Sequence, residues 1–426
     1  MQTNFITSRS TSLSKEQRNR EAVLLSFCDP LPPGSSSLWR LSIREWQKLL
    51  FWLDTSGLAL YFLERVVELQ LADALPPIIL SRLMQNLRDN TERIAALCVE
   101  SNAIHREFQN AGLSYATLKG FSLWPISVPK LELRSQLDLD FLIAEESAAA
   151  ARTILEGRGY RLHGVSGRSW EFKTVQTFHP SIKNLYKDVS SRCVELHIER
   201  RSGERSSLLQ CVIAVDFDGV PVPVLSPIDL FLGQGMHLFK HLCNEFSRAS
   251  HIVEFRRHVL ARRGDNAFWT ELRAVADPMM SIGLGLVTLL ITNLMGDFAP
   301  KAFTSWTSDT VPDFVRLWVK LHGRHVVLAS FPGSKRYLLL QRELQEAGIR
   351  TKRSVTGSLI PRTFPPPVAP ADANESLSVR FSRYRTQISF ILFRLRFHVV
   401  EGARYLRESS RWKRERSRVT RDACSR

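Results

Sequence analysis

The sequence predicts an α+β protein, a small mixed β-sheet core flanked by an N-terminal helical segment and a C-terminal helical domain. Three observations carry that prediction. Strand-like runs are confined to the region between Tyr115 and Val224. Apolar residues recur at three- and four-residue spacing before and after it, the period of a helix face. Of the 426 residues, 44% are hydrophobic, enough for a sizeable core.

The elements follow in order. Residues 1–38 mix polar side chains with Pro30, Pro32, Pro33, Gly34 and a Ser35-Ser36-Ser37 run, which predicts a flexible leader. Residues 39–112 read as the N-terminal helical segment, with Trp46, Leu49, Leu50 and Leu53 and then Leu60, Leu63 and Val67 on helical spacing. Pro76-Pro77 interrupts it before a helix over 78–111. Residues 113–225 hold the α/β core. Its strands are expected at 115–118, 137–143, 171–178 and 193–198, and a strand pair over 212–224 turns at Asp218-Gly219. An Ala-rich helix at 146–157, closed by Gly157 and Gly159, interleaves with them. Pro227 opens a helical domain over 226–350, with helices expected at 228–243, 249–262, 267–277, 279–295 and 312–328. Residues 351–375 carry Pro361, Pro365, Pro366, Pro367 and Pro370 and read as a Pro-rich linker. Residues 376–426 form a basic amphipathic tail.

Charge is uneven along the chain. The net charge is +16, yet residues 376–426 alone hold fourteen Lys and Arg against four Asp and Glu. The basic character therefore belongs mostly to the tail, and charge alone does not make the main body a nucleic-acid binder. Six scattered cysteines without a CxxC pair fit a reducing compartment better than a disulfide framework. The polar start, Met1 to Phe5, lacks an apolar signal core. No transmembrane segment is expected, since no run is read as approaching the 18 or so uncharged apolar residues of a span. These features point to the cytoplasm, with a peripheral membrane position as the variant.

The chemistry concentrates in Leu137-Asp138-Leu139-Asp140-Phe141. On a strand, Asp138 and Asp140 project from one face about 7 Å apart, while their apolar neighbours face a core. Two carboxylates on such a face need a cation between them, and Mg²⁺ suits carboxylate and phosphate oxygens. Lys119-Gly120 closes the first strand; its glycine permits close backbone approach to a phosphate, or the pair simply forms a turn. Glu195, within the apolar run 194–198, supplies a third carboxylate, and His197 shares its face. Two metal ions acting on a phosphoryl group require such a trio.

Taken together, Leu118-Lys119-Gly120, Arg134-x-x-x-Asp138-Leu139-Asp140, Gly159-Tyr160 and Val194-Glu195-Leu196-His197 resemble the uncharacterised bacterial nucleotidyltransferase family of the DNA polymerase β-like superfamily. The resemblance extends over roughly residues 40–330, through Trp46 to Gly57 upstream and Asp229-Leu230-Phe231, His237, His241, Arg248, Glu254 and Phe268-Trp269 downstream. It implies Mg²⁺- or Mn²⁺-dependent transfer of a nucleoside monophosphate from an NTP, such as ATP, to a hydroxyl of a small-molecule or protein acceptor. By position it implies Asp138, Asp140 and Glu195 as metal-holding and catalytic residues, with Glu195 completing a second metal site or acting as general base. Lys119, Gly120 and Ser122 would lie under the triphosphate, and Arg134 would pair with phosphate or the acidic cluster. This chain departs from the superfamily in placing Phe121 after Gly120, with the hydroxyl one residue later at Ser122, and in carrying Glu254 where Asp is usual. The rival implication is a catalytically inert member of the fold that binds a partner.

His237 and His241, four apart on a helix face, have no third ligand at metal-binding spacing, so the sequence favours a core or hydrogen-bonding role. With His197, Arg248 and Glu254 they are expected to line the nucleotide or acceptor site. In the tail, arginines punctuate Phe381, Tyr384, Ile388, Leu392 and Leu395. Docking of 380–400 on the helical domain, with a disordered end over 409–426, is the first expectation. An anionic membrane surface comes second, and nucleic-acid phosphates third.

Overall fold

The computed structural model describes residues 13–174, 184–187, 192–199, 207–349, 355–359 and 376–424. Seven strands form one mixed sheet in the order β3-β4-β5-β2-β1-β7-β6. They are β1 (Tyr115–Leu118), β2 (Asp138–Ala144), β3 (Tyr160–Ser166), β4 (Ser169–Thr174), β5 (Cys193–Glu199), β6 (Ile213–Phe217) and β7 (Val220–Val224). Central β2 runs antiparallel to β1 and parallel to β5. The 171–178 strand is seen as β4 through Thr174, and the rest of it lies outside the described residues. β3 was not expected: it pairs only with β4 at the sheet edge, where neither face is consistently buried and apolar alternation is absent.

Helices α1 (Lys15–Ser26), α2 (Ile43–Ser56), α3 (Ala59–Glu68) and α4 (Pro77–Asn110) precede the sheet, and α5 (Ala148–Gly157) follows β2. Helices α6 (Pro227–Leu242), α7 (Ala249–Ala261), α8 (Asn266–Val275) and α9 (Pro278–Met295) come after it. Helical turns continue over Asp313–Val327, widened to a π turn at Val319–Gly323.

The flexible-leader expectation for 1–38 fails over residues 15–38. Ser14 and Gln17 form a capping box at the start of α1, and Val23, Leu24 and Leu38 are fully buried in the helical core. Buried Arg20 is accommodated because its guanidinium donates to the Leu328 carbonyl (2.7 Å). Most of the Pro-rich linker lies outside the described residues; a short helix, Val355–Leu359, falls within it.

Among the described residues the two largest apolar clusters frame the site. One lies beneath the sheet, where Phe141, Ile143, Val194 and Leu196 meet Leu97, Ile104 and Phe108 of α4 and Leu155 of α5. The other joins α1–α3 with α6–α9 and the helices beyond. The long α4 spans both, placing Ile79 and Leu83 in the helical core and Phe108 under the sheet. Helix α9 is uncharged and long and apolar enough to cross a membrane, contrary to the expectation that no such run exists; 56% of it is buried inside the protein. Ser281, Thr288, Thr292 and Asn293 break its apolar run without adding charge. A Cβ at Gly285 would come within 2.4 Å of the Thr307 carbonyl oxygen, so glycine lets the neighbouring chain pack directly on α9.

The C-terminal helix, Leu377–Cys424, docks by Phe397, Tyr405 and Trp412. Trp412 Nε1 donates to Glu343 (2.7 Å), and Arg416 reaches the same carboxylate. These contacts order the stretch after 409 as helix through Cys424, where disorder was expected. The docking expectation holds for one face only, since Phe381, Ile388 and Leu395 on the other are more than half exposed.

Candidate active site

The parallel register of β2 and β5 sets Asp138 beside Cys193, Asp140 beside Glu195 and Leu142 beside His197. Side chains alternate faces along a strand. Leu139, Phe141, Val194 and Leu196 therefore enter the sheet core, while Asp138, Asp140, Glu195 and His197 share the opposite face. Asp140 is the centre of this group. Its Oδ1 accepts from Lys119 Nζ at 2.9 Å and stands 3.0 Å from His197 Nε2. His197 Nε2 is also 3.5 Å from Glu195 Oε2, and the Ser169 hydroxyl, from β4, donates to the other Glu195 oxygen.

Asp140, Glu195 and His197 each offer a donor atom within 4.8 Å of the others. Asp138, two residues earlier on the same face, is not part of that group. The metal-holding trio expected from the sequence was Asp138, Asp140 and Glu195; His197, expected only to line the site, joins the close group with the latter two.

Electrostatics separate these groups. Burial pushes the Asp138 carboxyl up, and the Asp140 charge pushes it further, against the pull of Lys119 and Arg134. His197 holds Glu195 well below the usual carboxylate range through its hydrogen bond, against burial and with help from Ser169. For His197 itself burial opposes the charge, but the bonds to Asp140 and Glu195 outweigh it and raise the imidazole. The donor chemistry fits a hard divalent cation: two anionic carboxylates in register, with a third whose charge is poorly compensated.

Lys119 sits at φ +50°, ψ −152° and Gly120 at φ +41°, a pair of left-handed residues turning the chain at the end of β1. A Cβ on Gly120 would come within 2.4 Å of the Gln136 amide, and that amide donates to the Asp138 carbonyl (2.8 Å). The glycine thus admits the side chain that braces the first residue of β2. Ser122 is buried, and its hydroxyl donates back to the Lys119 carbonyl (2.7 Å). Ser122 fixes the turn in this arrangement and presents no free hydroxyl donor.

Arg134 and Glu254 form a bridge between the sheet and α7. Arg134 Nε meets Glu254 Oε1 at 3.2 Å, and Tyr61 of α3 donates to the same oxygen at 3.0 Å. Burial opposes the Arg134 charge, yet Glu254, Tyr61, Asp138 and Asp140 together hold its guanidinium above the ordinary value. Arg248, at the start of α7, is pushed down by burial and then by Arg134, while Asp138 and Glu254 support its charge. The structure therefore brings Arg134, Arg248 and Glu254 beside the carboxylates.

His237 and His241 of α6 face each other with Nε2 atoms 3.1 Å apart. His251 of α7, which the sequence reading did not single out, completes a cluster with donor atoms within 4.8 Å of one another. Its signal was weak, because the third histidine comes from a different helix and α6–α7 packing alone brings it in. Lys119 and Arg134 act on His237 electrostatically, so the cluster adjoins the carboxylate site. Ser169 and Gln136 were likewise missed; only the β4–β5 register, which sets Ser169 across from His197, brings Ser169 to the site.

No curated protein matches this chain. A family model described as uncharacterised nucleotidyltransferase matches residues 42–295. That match spans α2 to α9 and includes every residue of the site above, and the chain belongs to the uncharacterised nucleotidyltransferase family.

Proposed function

We propose that the protein moves a nucleoside monophosphate from an NTP to a hydroxyl of a small-molecule or protein acceptor, using Mg²⁺ or Mn²⁺ held by Asp138, Asp140 and Glu195. The observation that carries this reading is the in-register pairing of Asp140 with Glu195 on an otherwise apolar sheet, with Lys119 and His197 converging on Asp140. When bound, the metal would neutralise phosphate charge and polarise the reacting oxygens. Lys119 and Arg134 supply positive charge for the triphosphate. The acceptor oxygen bonds to the α-phosphorus, the bond to the bridging oxygen breaks, and pyrophosphate leaves. Glu195, held firmly anionic by His197, suits cation holding better than proton uptake. With Asp138, Asp140 and Glu195 all turned to the cation, the hydroxyl proton would pass to solvent water.

The test is incubation with each α-labelled NTP, Mg²⁺ or Mn²⁺, and a metabolite and protein extract. Label appearing on an acceptor with wild type but not with Asp140→Asn supports transfer. One observation favours an inert, nucleotide-binding member of the fold instead: the Ser122 hydroxyl is turned to the Lys119 carbonyl. That reading predicts NTP binding by calorimetry with no pyrophosphate released.

For a partner we propose an anionic membrane surface at the cytoplasmic face. Phe381, Tyr384, Ile388, Leu392, Leu395 and Val399 are each at least half exposed, and their spacing puts them on one stripe. Phe397, Tyr405 and Trp412 anchor the opposite face of the same helix. An apolar stripe on an arginine-rich helix suits anionic lipid. Co-sedimentation with phosphatidylserine vesicles, lost in Phe381→Asp/Ile388→Asp, supports it; RNA binding without vesicle binding overturns it.

A further inference from the structure

We propose that His237, His241 and His251 bind a borderline transition-metal dication, Zn²⁺ above all, leaving a fourth coordination position for an anionic ligand. His237 and His241 lie four apart on α6, so they share a face, and the α6–α7 packing places His251 against both. The ring centroids are 4.5, 5.2 and 5.1 Å apart. Zinc–nitrogen bonds of about 2.0–2.1 Å in a tetrahedron put the nitrogens roughly 3.4 Å apart. The 3.1 Å between His237 Nε2 and His241 Nε2 is already close to that value, and the whole cluster closes within 4.8 Å.

Without an ion the cluster is poorly satisfied. Two facing ring nitrogens can share at most one proton between them. His251 Nδ1 is buried and makes no hydrogen bond among the described residues, which leaves a polar atom desolvated without a partner. A coordinated dication would use such lone pairs. Burial first, and then neighbouring imidazoles, lysines and arginines, disfavour a charged imidazole at all three positions, and neutral imidazole is the ligating form.

The donor set decides which metal. Three nitrogens suit zinc and its neighbours, whereas Mg²⁺ prefers carboxylate, water and phosphate oxygens. The surroundings decide the fourth ligand. Lys240, Arg248, Lys119 and Arg134 all act on this cluster, and no carboxylate belongs to it. A dication there is offset best by hydroxide or by a phosphate or carboxylate of a bound molecule. The site stands whether or not the carboxylate centre transfers nucleotides.

The experiment uses full-length protein stripped with chelator, then equilibrated with Zn²⁺ in excess Mg²⁺ and desalted. The expected result is one retained zinc per chain. In His237→Gln and His251→Gln affinity falls by more than the roughly 10–100-fold that loss of an outer-shell partner costs, while Glu195→Gln keeps its zinc. No retained zinc in wild type overturns the proposal, as does retention unchanged in both histidine variants. Loss of zinc in Glu195→Gln also overturns it, because that places the ion among Asp140, Glu195 and His197. Should the histidine variants misfold, Co²⁺ on wild type in excess Mg²⁺ decides: intense visible bands of a four-coordinate nitrogen site are expected, and the weak spectrum of an octahedral oxygen site sinks the idea.

Discussion

The sheet side and the helical side of the candidate site use histidine in opposite ways. On the sheet, His197 lies between Asp140 and Glu195, and their hydrogen bonds hold its proton on. On α6 and α7, His237, His241 and His251 face one another among lysines and arginines and are held neutral. The difference follows from what each backbone brings together. Register between parallel strands stacks carboxylates against a histidine, whereas helix packing stacks histidines against each other. One side therefore offers hard oxygens and the other borderline nitrogens, and two metals of different character would divide accordingly.

The sharpest way to break the comparison is at Asp140. Asp140→Ala removes the partner of both Lys119 and His197, and should lower nucleotidyl transfer on the order of 10³-fold, the scale of a lost preorganised electrostatic contact. A rate within tenfold of wild type in a labelled-NTP assay would show that the sheet side is not the reacting centre. Zinc retention by the helical side should be untouched.

Next comes the link between the two sides. Glu254 is almost wholly buried and accepts from both Arg134 and Tyr61. Glu254→Ala leaves a guanidinium and a phenol without their acceptor. Breaking a buried pair from one side costs about 3–5 kcal/mol, and the remaining exposure of Arg134 points to the lower end. Urea unfolding checks this. Removing both charges in Arg134→Met/Glu254→Leu should recover much of the loss, and a double variant as unstable as the single would refute the pairing.

How far these two sides could be read in advance also differs. β1, β2 and β5 were legible because buried apolar residues alternate with functional ones, and that alternation fixes which carboxylates share a face. Asp140 and Glu195 were found that way, while Lys119 was read from the Lys119-Gly120 turn that closes β1. His197 was placed on the face of Glu195 as a lining residue only, since a period of two says which face a residue occupies but not which neighbour it touches. The helical side was harder. His237 and His241 were visible as a four-residue repeat, but His251 belongs to another helix, and only tertiary packing supplies it. Helix α1 was missed for a related reason: Ala22, Val23, Leu24 and Leu25 are consecutive, not periodic, because the helix is buried on several sides.

A smaller effect is expected at the turn after β1. Gly120→Ala forces a side chain into the left-handed region and against the Gln136 amide. Such strain costs of order 1–3 kcal/mol, and displacing Gln136 loosens its hold on the Asp138 carbonyl. Transfer should slow while zinc binding at the helical side is preserved. Equal losses at both would mean that Gly120 supports the whole fold and not the sheet side.

The mildest prediction concerns acid, and uses histidines outside both clusters. Burial pushes His105, under the sheet, down to about 4, and burial likewise pushes His258 and His322 of the helical core down to about 3. A group whose folded value lies below its unfolded one takes up a proton on unfolding, so stability falls as pH drops below about 6.5. The loss continues to about 4 for His105 and to about 3 for the other two, at up to about 1.4 kcal/mol per pH unit for each group. With one such residue under the sheet and two in the helical core, the helical side should loosen first. Hydrogen exchange followed from pH 7 to pH 5 should show protection falling faster in α6–α9 than in β1, β2 and β5. His258→Asn, which can keep a hydrogen bond to Gln234 while losing the titration, should flatten the helical response. A steeper loss in the sheet would instead mean that buried histidine does not govern how this protein meets acid.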